Sequence, residues 1–391
     1  MTKVYLIRHA EAEGNYYRRI QGQWDGGITP RGMLQIDALA LRMKDVPLDA
    51  LYSSDLQRTM QTAEAIRRHH DLPLCTDPRL REVRMGVWEG MSWGDVLYTD
   101  PVEYNHFSSN PDLWHTEGAE SWDTLRERMY HAVTDLASRH PNGSIAIVSH
   151  GTAIRALMCK LMDVPGKDIH SVPHGDNTCI TLLEVDGKDV RICYTCDNSH
   201  LPEDLSSHKR QTWWRTGKDF GNLRFRPLDL NKEAKFYLRC YMDAWTVAHG
   251  NTDGFVPALY LMNAQRCLRE HPEAIAVALE EDTVVGIAAL DTHRGTDAAQ
   301  GWVSFLYLLP EHRGKRYGVQ LLGYAATLYA RLGRKTLCLS VSEDNIHARG
   351  FYEHTGFEKV GEAPGVGAPL YLMEKPLSGG VLPPADESYG G

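Results

Sequence analysis

The chain has 391 residues, of which 42% are hydrophobic, 24% charged and 9% aromatic. This length exceeds what one hydrophobic core usually serves, so we expect two or three domains with the composition of an ordered globular protein. The formal net charge of −9 argues against a general nucleic-acid or membrane-surface role, because phosphate backbones and anionic lipids attract basic faces. Any phosphate site must therefore be basic locally.

The start of the chain and its cysteines indicate the compartment. The opening segment, MTKVYLIRHA, is strand-like rather than a signal peptide, and no apolar run approaches the roughly 20 residues that span a bilayer. The eight cysteines lie mostly in apolar segments, so we expect reduced thiols and no disulfide framework. Cys193 and Cys196 form one C-x-x-C spacing that we interpret as part of a strand rather than a zinc site. The sequence predicts a cytoplasmic protein.

Short apolar runs alternate with helical patterns in the first half, the order expected of parallel strands joined by crossover helices. The predicted strands are 4–7, 49–53 and 144–148, the helices about 56–69 and 152–162, and a closing hairpin pairs 179–185 with 190–196. A polar segment with neither helical nor strand periodicity follows, so we place a linker at 205–222. Within it, Trp213 and Trp214 are expected to dock onto one domain, because large aromatic side chains rarely stay exposed.

The second half predicts a mixed arrangement of strands and helices. The expected strands are 223–228, 274–279, 284–290, 302–308, 336–341 and 370–374, and the expected helices are 232–249, 257–270, 314–332 and 347–354. The tail at 377–391 is rich in Pro and Gly and is expected to lack structure. The predicted class is thus α/β, with one domain at 1–204 and another at 223–376.

Two histidines directly follow predicted parallel strands of the first domain. Arg8-His9 follows the first strand and His150 follows the strand at 144–148. Ligands of open α/β sheets bind at the carboxyl ends of the strands, so these residues are candidates for a site. Either histidine alone is more often a structural loop residue, and it is the pairing with arginines that indicates function.

An arginine and a glutamate complete the first candidate site. Arg58 lies in the first turn of a helix that Ser54 or Asp55 can cap, near exposed backbone N–H groups that favour an anion. Glu82 follows a predicted loop, and a carboxyl group that is partly desolvated beside a histidine can supply a proton. Together with the histidines, these residues predict a phosphate site.

These residues resemble the histidine phosphatase superfamily, also called the phosphoglycerate-mutase-like family, over about residues 1–204. The matching pieces, in the family's order, are RHAE at 8–11 with Asn15, Gln21-Gly22, SSDLQRTMQTAE around Arg58, Glu82 with GVWEG, Ser149-His150-Gly151, Asn177, and Asn198-x-His200-Leu201. Ala10 stands where the family more often has Gly, and its small side chain should be tolerated. The resemblance implies a three-layer α/β/α fold.

The same resemblance implies a mechanism that requires no metal. His9 would attack phosphorus as a neutral imidazole and form a phosphohistidine that water hydrolyses. Arg8, Arg58 and His150 would neutralise the equatorial oxygens, and Glu82 would protonate the leaving oxygen and later activate water. The residues implied to contact phosphate or substrate are Asn15, Gln21 and Gly151. Asn15 and Gln21 can alternatively cap loops.

Hydrolysis of a small phosphorylated metabolite is the expected reaction of this domain. Family mutases carry an added His-Tyr-Gly segment after the acidic residue, whereas Glu82 leads here into Val83-Arg84-Met85-Gly86. The shorter version with its WEG ending is similar to the phosphatase branch. A phosphoglycerate mutase-type isomerisation is the alternative.

A second constellation opens the helix predicted at 314–332. It is the run Arg313, Gly314, Lys315, Arg316, Tyr317 and Gly318, which follows a strand and a proline. The N–H groups of a helix start favour an anion, and pyrophosphate is the natural ligand. Together with FLYLLPEHRG, Asn345 and the segment ARGFYEHTGF that contains Tyr352, this run resembles the GNAT N-acetyltransferase family over about residues 223–376.

The GNAT resemblance implies a mixed α/β sheet that is splayed open to admit acetyl-CoA. Leu306 and Leu308 would pair with the pantetheine arm, the loop 313–318 would cradle pyrophosphate, Asn345 would contact the cofactor, and Tyr352 would protonate the departing thiolate. The family usually has glycine where Arg316 stands, and a side chain there crowds the turn unless its φ stays negative.

The reaction of this second domain is expected to be acetylation of an amine, although no general base can be assigned. We interpret Glu280, Glu281 and Asp282 as a polar turn, and a bound water or a neutral amine could serve in place of a base. A non-catalytic acyl-CoA sensor is the alternative. The sequence names neither substrate and does not indicate the oligomeric state.

Overall fold

The computed structural model describes residues 1–207, 221–365 and 368–378. They form a six-stranded sheet in the first half of the chain and a seven-stranded sheet in the second half. Most of the predicted linker, including Trp213 and Trp214, and the predicted tail beyond residue 378 lie outside the described residues. None of the helices within the described ranges combines the length and the apolar character that crossing a bilayer requires.

The first sheet has the strand order β3-β2-β4-β1-β5-β6. Its strands are β1 (Thr2–Arg8), β2 (Ala50–Ser53), β3 (Leu74–Thr76), β4 (Ser144–Ser149), β5 (Ile180–Asp186) and β6 (Asp189–Asp197). Strands β1 to β4 pair in parallel, and β5 and β6 form the antiparallel hairpin. The helices are α1 (Glu13–Tyr17), α2 (Pro30–Met43), α3 (Gln57–Arg67), α4 (Trp93–Thr99), α5 (Pro101–Ser109), α6 (Trp122–Ser138) and α7 (Gly151–Leu161).

Alternation along the central strand β1 explains the three layers. Val4 and Leu6 face a core that contains residues of α6 and α7, whereas Ile7 faces a core with residues of α2 and α3. Successive side chains of a strand point to opposite faces, so a sheet with apolar residues at both positions needs a helical layer on each side. The predicted α/β/α architecture is confirmed.

Two long helices of the first domain, α2 and α6, were not predicted from the sequence. Both begin at signals that are visible there, since Thr29 accepts a hydrogen bond from the Gly32 amide ahead of Pro30 and Ser121 accepts one from the Thr124 amide.

The predicted cap of α3 is wrong. Its N-cap is Leu56, which has no side-chain cap. Asp55 instead forms an ion pair with Arg81 at 2.6 Å, and Ser54 accepts a hydrogen bond from the Leu56 amide, at 3.3 Å, rather than from an amide of the first turn. Arg58 nevertheless lies in the first turn of the helix, as expected.

The second sheet has the order β12-β13-β11-β10-β9-β8-β7. Its strands are β7 (Leu223–Pro227), β8 (Ile275–Glu280), β9 (Thr283–Asp291), β10 (Gln300–Leu308), β11 (Thr336–Ser342), β12 (Glu358–Ala363) and β13 (Leu370–Pro376). The helices are α8 (Leu230–His249), α9 (Pro257–Glu270), α10 (Tyr317–Arg331) and α11 (Ile346–His354). The strand β12 was not predicted.

The central strands of this sheet separate along their length. Strands β10 and β11 pair in parallel only from Gln300 to Trp302, and β10 carries an irregularity between Val303 and Phe305. Beyond Trp302 the edge of β10 that faces β11 is therefore open. The predicted splayed, mixed sheet is confirmed.

Helix α1 of the first domain packs against α10 of the second. Tyr17 is buried within the apolar cluster of the second domain, and a side chain at Gly323 would collide with it. The Lys375 ammonium donates to the Tyr17 hydroxyl at 2.7 Å and pairs with Glu13 at 2.8 Å. Two adjacent bonds join α4 to β7, from Ser92 Oγ to the Leu223 carbonyl at 2.7 Å and from the Phe225 amide to an Asp95 oxygen at 2.7 Å. The two domains thus share a packed interface.

Candidate active sites

Sheet pairing brings the two predicted histidines together. In the parallel pair β1 and β4, Arg8 lies opposite Ser149, so His9 and His150 leave the sheet side by side. Their rings meet edge to face with centroids 5.2 Å apart, and both are buried, with exposed fractions of 3% and 0%. The structure therefore places two imidazoles at the carboxyl ends of adjacent strands, where ligands of such sheets bind.

The hydrogen bonds of His9 assign its tautomer. Its Nδ1 donates to the Ala10 carbonyl at 2.6 Å, which leaves Nε2 with the lone pair. Burial, followed by the charges of Arg58 and Arg8, holds the pKa of His9 well below its usual value. Asn177 fixes the backbone by donating to the His9 carbonyl at 2.9 Å. The ring is therefore neutral and oriented, as a nitrogen nucleophile must be.

Two guanidinium groups surround this ring. Arg58 donates to the Trp24 carbonyl at 2.9 Å and to the Gly22 carbonyl at 2.7 Å. Burial lowers its pKa to about 10, so the group stays charged at neutral pH. Arg8 donates to the Gly175 carbonyl and lies 3.3 Å from Nδ1 of His174. The backbone carbonyls that accept these bonds are neutral, so they fix the two guanidinium groups without cancelling their charge.

His150, beside His9, has Ser54 as its hydrogen-bond partner. Nε2 of His150 hydrogen-bonds with Ser54 Oγ at 3.0 Å, whereas its Nδ1 is buried and has no hydrogen-bond partner among the described residues. Burial, then the charge of Arg58, lowers its pKa well below the usual value. Ser54 was predicted only as a helix cap. Its position after β2, the neighbour of β4, was the signal that could have paired it with His150.

Glu82 lies beside the N-terminus of α7, the helix that begins directly after His150. Its carboxylate accepts hydrogen bonds from the Thr152 amide at 3.1 Å and the Ala153 amide at 2.8 Å. These two hydrogen bonds hold the carboxyl group in a defined position beside the start of the helix. The structure thus brings Glu82 to the end of β4, within the same cluster as the two histidines.

The three residues implied to contact substrate have different surroundings. Asn15 accepts a hydrogen bond from the Ala12 amide at 3.1 Å and closes the first turn of α1, which is the alternative role that the sequence left open. The Gln21 side chain packs against Gly14. At Gly151 an added methyl group would lie 3.0 Å from Nε of Arg8 and 3.3 Å from the His174 ring. Glycine therefore permits the close approach of Arg8, and His174 is a neighbour that sequence analysis missed.

A cavity of about 1340 Å³ occupies the opening between β10 and β11. Its walls in the second domain include Leu306, Leu308, the loop 313–318, Asn345 and Tyr352. Leu306 and Leu308 pair with β9 on one side, and their other edge faces the opening. The structure therefore places all the residues implied by the GNAT resemblance around one cavity.

The loop at the start of α10 has the backbone of a tight turn. Gly314 has φ +77° and Arg316 has φ +62°, so the helix begins at Tyr317 rather than at Gly314 as predicted. The requirement that φ of Arg316 stay negative is not met, and a non-glycine residue in this region costs about 1–2 kcal/mol. Arg313 is tied back by hydrogen bonding to the Leu308 carbonyl at 3.0 Å and by pairing with Asp243 at 3.3 Å.

Polar residues around the cavity are ordered by local contacts. Asn345 caps α11 by accepting from the Ala348 amide at 3.1 Å. Burial raises the pKa of Tyr352 to about 12, so its hydroxyl keeps its proton at physiological pH. The polar turn is formed by Glu281, with φ +52°, and Asp282, whereas Glu280 ends β8 and accepts a hydrogen bond from the Tyr317 hydroxyl.

Across residues 1–207, 221–365 and 368–378, no group of three or more His, Cys, Asp or Glu side chains is arranged to hold a metal ion. The cysteines are thiols, including Cys193 and Cys196 of the C-x-x-C spacing, which lie on β6.

Comparison with known proteins agrees with both halves of this description. The histidine phosphatase superfamily (branch 1) matches residues 4–198 and the acetyltransferase (GNAT) family matches residues 235–357. Phosphoserine phosphatase 1 of Hydrogenobacter thermophilus is 33% identical over 164 residues, which cover 42% of this chain and 78% of that protein. The probable phosphoglycerate mutase GpmB of Yersinia pestis is 40% identical over 171 residues, covering 42% and 77%.

A solved structure supports the first of these matches. Bacillus stearothermophilus YhfR has 34% sequence identity and a TM-score of 0.50, and the similarity covers 51% of this chain and 99% of that one. The chain therefore belongs to the histidine phosphatase superfamily and carries, after that domain, a second domain of the GNAT acetyltransferase family.

Proposed function

We propose that the first domain, residues 1–204, hydrolyses a phosphomonoester of a small metabolite through a phosphohistidine on His9. The hydrogen bond from Nδ1 of His9 to the Ala10 carbonyl is the observation that carries this proposal. It leaves the lone pair on Nε2 of a buried, neutral ring, and nucleophilic attack requires that form.

Each step of the reaction has a candidate group in the site. Nε2 of His9 bonds to phosphorus as the bond from phosphorus to the ester oxygen breaks, and Glu82 supplies the proton to the leaving oxygen. Water then attacks the phosphohistidine, Glu82 takes its proton, and the bond from phosphorus to nitrogen breaks. Arg8 and Arg58 compensate the charge of the phosphoryl oxygens, which is the main catalytic task in phosphoryl transfer. These two fixed cations supply the compensation without a metal.

Hydrolysis is favoured over isomerisation by the segment that follows Glu82, because it lacks the added residues of the mutases. The similar proteins include both a phosphoserine phosphatase and a probable phosphoglycerate mutase. A substrate panel should therefore contain phosphoserine, both phosphoglycerates and sugar phosphates. A bisphosphate-dependent isomerisation that matches the hydrolytic rate would overturn the assignment.

The test is phosphate release in the presence of a chelator, with the full chain and its His9→Ala variant. We expect release from at least one metabolite by the wild type and none by the variant. His170→Ala is the matched control, because His170 is exposed and lies outside the cluster. An acid-labile phosphoryl label on the wild type that His9→Ala lacks would identify the intermediate. Equal release by wild type and His9→Ala would refute the mechanism.

For the second domain, residues 223–376, we infer binding of acetyl-CoA and transfer of its acetyl group to an amine. The cavity between β10 and β11, the glycine-containing loop before α10 and the hydroxyl of Tyr352 support this inference. Acetyl-CoA, when bound, would supply the acyl group: the amine nitrogen bonds to the acyl carbon as the bond from carbon to sulfur breaks, CoA leaves as a thiol, and the proton lost by the nitrogen passes to water. Tyr352 suits the protonation of sulfur because its raised pKa keeps the proton in place until the thiolate departs.

Binding and turnover must be measured separately, because an acyl-CoA sensor is the alternative. Calorimetry with acetyl-CoA tests binding, and release of free thiol across a panel of amines tests transfer. Binding with turnover supports the acetyltransferase, whereas binding without turnover for every amine supports the sensor.

The segments at 205–222 and 377–391 are proposed as the linker and the tail.

A further inference from the structure

The cavity of the second domain extends to the first domain. Besides the residues of β10, β11, α10 and α11, its walls include side chains that belong to the segment after His9. These are Glu11, Asn15, Tyr16, Arg18 and Arg31. A site that would be complete within an isolated GNAT domain therefore has an additional wall here, and that wall is basic.

Arg18 is the member of this wall that lies nearest the first residue of α10. It directly follows α1 with φ +57°, and its Nη1 donates to the Gly221 carbonyl at 2.8 Å. A methyl group added at Gly221 would lie 3.4 Å from Nη1 of Arg18 and 3.2 Å from the Tyr317 ring. The guanidinium and the first residue of α10 therefore flank the same point, beside the loop at 313–316.

The interdomain contact fixes this position. Tyr17, immediately before Arg18, is buried in the apolar cluster of the second domain, and α1 packs along α10. Arg19, immediately after Arg18, places its guanidinium 4.9 Å from the ring centre of Phe225 on β7. Because both neighbours of Arg18 contact the second domain, the backbone of Arg18 is held against that domain.

The charges around the cavity match a polyphosphate ligand. Five cationic side chains line it, and they are Arg18, Arg31, Arg313, Lys315 and Arg316. The anionic side chains that line it are Glu11 and Glu280; Glu11 pairs with Arg31 at 3.4 Å, and Asp243 outside the lining pairs with Arg313 at 3.3 Å. The excess is positive, although the whole chain carries a formal charge of −9. CoA bears a pyrophosphate and a 3′-phosphate, which are the groups that such a wall would recognise.

We propose that the phosphatase domain forms part of the CoA-binding site, and that Arg18 provides a cation for the phosphate groups of CoA. This inference rests on the proposed function of the second domain as an acetyl-CoA site. It adds a residue from outside the GNAT fold to the cofactor cradle. Arg18 is accordingly a binding residue whose place is determined by the contact between the domains.

The test is calorimetric binding of CoA to the full chain and to four variants, Arg18→Ala, Arg18→Lys, Arg18→Gln and Arg224→Ala. We expect Arg18→Ala to weaken binding about tenfold or more, because a hydrogen bond to a charged group contributes roughly 1.5–3 kcal/mol, and Arg18→Lys to retain part of the affinity. Arg224→Ala is the matched control. Arg224 also crosses the interface, with its guanidinium 4.0 Å from the Tyr98 ring centre, but it does not line the cavity. Its variant should bind within twofold of the wild type.

A second ligand locates the phosphate that Arg18 contacts. If the loss for Arg18→Ala disappears with 3′-dephospho-CoA, the contact is with the 3′-phosphate, and if it persists, the contact is with the pyrophosphate. Both results support the proposal.

Three results would overturn it in distinguishable ways. If Arg18→Ala binds like the wild type, or loses no more than Arg224→Ala, the inference is wrong and the acetyl-CoA proposal stands. If the wild type itself does not bind CoA, both are wrong. Thermal unfolding of each variant shows whether it is folded, and should Arg18→Ala not fold, wild-type affinity in both Arg18→Lys and Arg18→Gln would overturn the proposal.

Discussion

The buried ion pair between the domains gives a quantitative prediction. Lys375 lies 2.8 Å from Glu13, with side-chain exposures of 11% and 14%. Burial opposes the charge of Lys375, but Tyr17 and Glu13 outweigh it and hold its pKa above the usual value. We therefore expect strong coupling between Lys375→Met and Glu13→Gln in a double-mutant cycle.

A second pair provides the control for distance. Lys359 and Glu362 are closer, at 2.6 Å, but are exposed by 40% and 58%. Coulomb's law gives about 6 kcal/mol for the interdomain pair at an effective dielectric constant of ~20. Desolvation removes much of this value, so we expect a coupling of about 2–3 kcal/mol for the buried pair and a clearly smaller coupling for the exposed pair, whose charges are screened by water.

Urea unfolding monitored by tryptophan fluorescence measures both cycles. The free energies of unfolding are comparable only where the slope with denaturant is unchanged among variants, and this condition is checked for each curve. Either single substitution of the interdomain pair should cost about 3 kcal/mol, because it leaves a buried charge without its partner. Equal coupling in the two pairs would refute the reasoning, since it would show that burial does not determine the strength of the contact.

Three further predictions concern the sites and one turn. Because the pKa of His9 is lowered, the acid limb of kcat/KM for phosphate release should lie well below pH 6.5. The free energy of unfolding should be highest above pH 6.5, where the unfolded chain also has a neutral histidine, and should decrease as the pH drops toward the pKa of His9 in the folded protein. An acid limb of kcat/KM at pH 6.5 would contradict the lowered pKa. Gly86→Ala should destabilise the folded protein by about 3 kcal/mol or more, because a methyl group there would lie 2.0 Å from the Glu117 carbonyl. Gly187 has a similar φ but open space around it, so Gly187→Ala should cost only about 1 kcal/mol, and thermal unfolding measures both. Tyr352→Phe should lower the kcat of acetyl transfer at least a hundredfold while calorimetry shows an unchanged Kd for CoA, and equal loss in both would indicate a binding role instead.

The sequence predicted the parts of the fold that depend on local pattern. The strands β1 and β4 are short apolar runs, and each is followed by a histidine. The position of both strands and the proximity of His9 to His150 therefore follow from the pairing rules of α/β sheets. Helix α9 has the predicted bounds because Pro257 and a periodic apolar face mark it clearly.

Features that depend on tertiary contact could not be predicted in this way. The αL conformation of Arg316 contradicts its local preference and is imposed by the turn into α10. The bond between His150 and Ser54 joins residues 96 positions apart, and the hydrogen bond between Lys375 and Tyr17 joins residues 358 apart. No local period encodes such pairs, so the contact between the domains was absent from the sequence-based description.

The dual membership of α1 limits the modularity of this chain. By sequence the helix belongs to the phosphatase domain and begins four residues after the proposed nucleophile, but by packing Tyr17 belongs to the core of the acetyltransferase domain. If either domain were joined to an unrelated partner, each domain would be left with an exposed apolar surface. Evolutionary exchange of the acetyltransferase domain would therefore have to be accompanied by changes at Tyr17 and Gly323, so covariation at these two positions is expected among proteins that share this fusion.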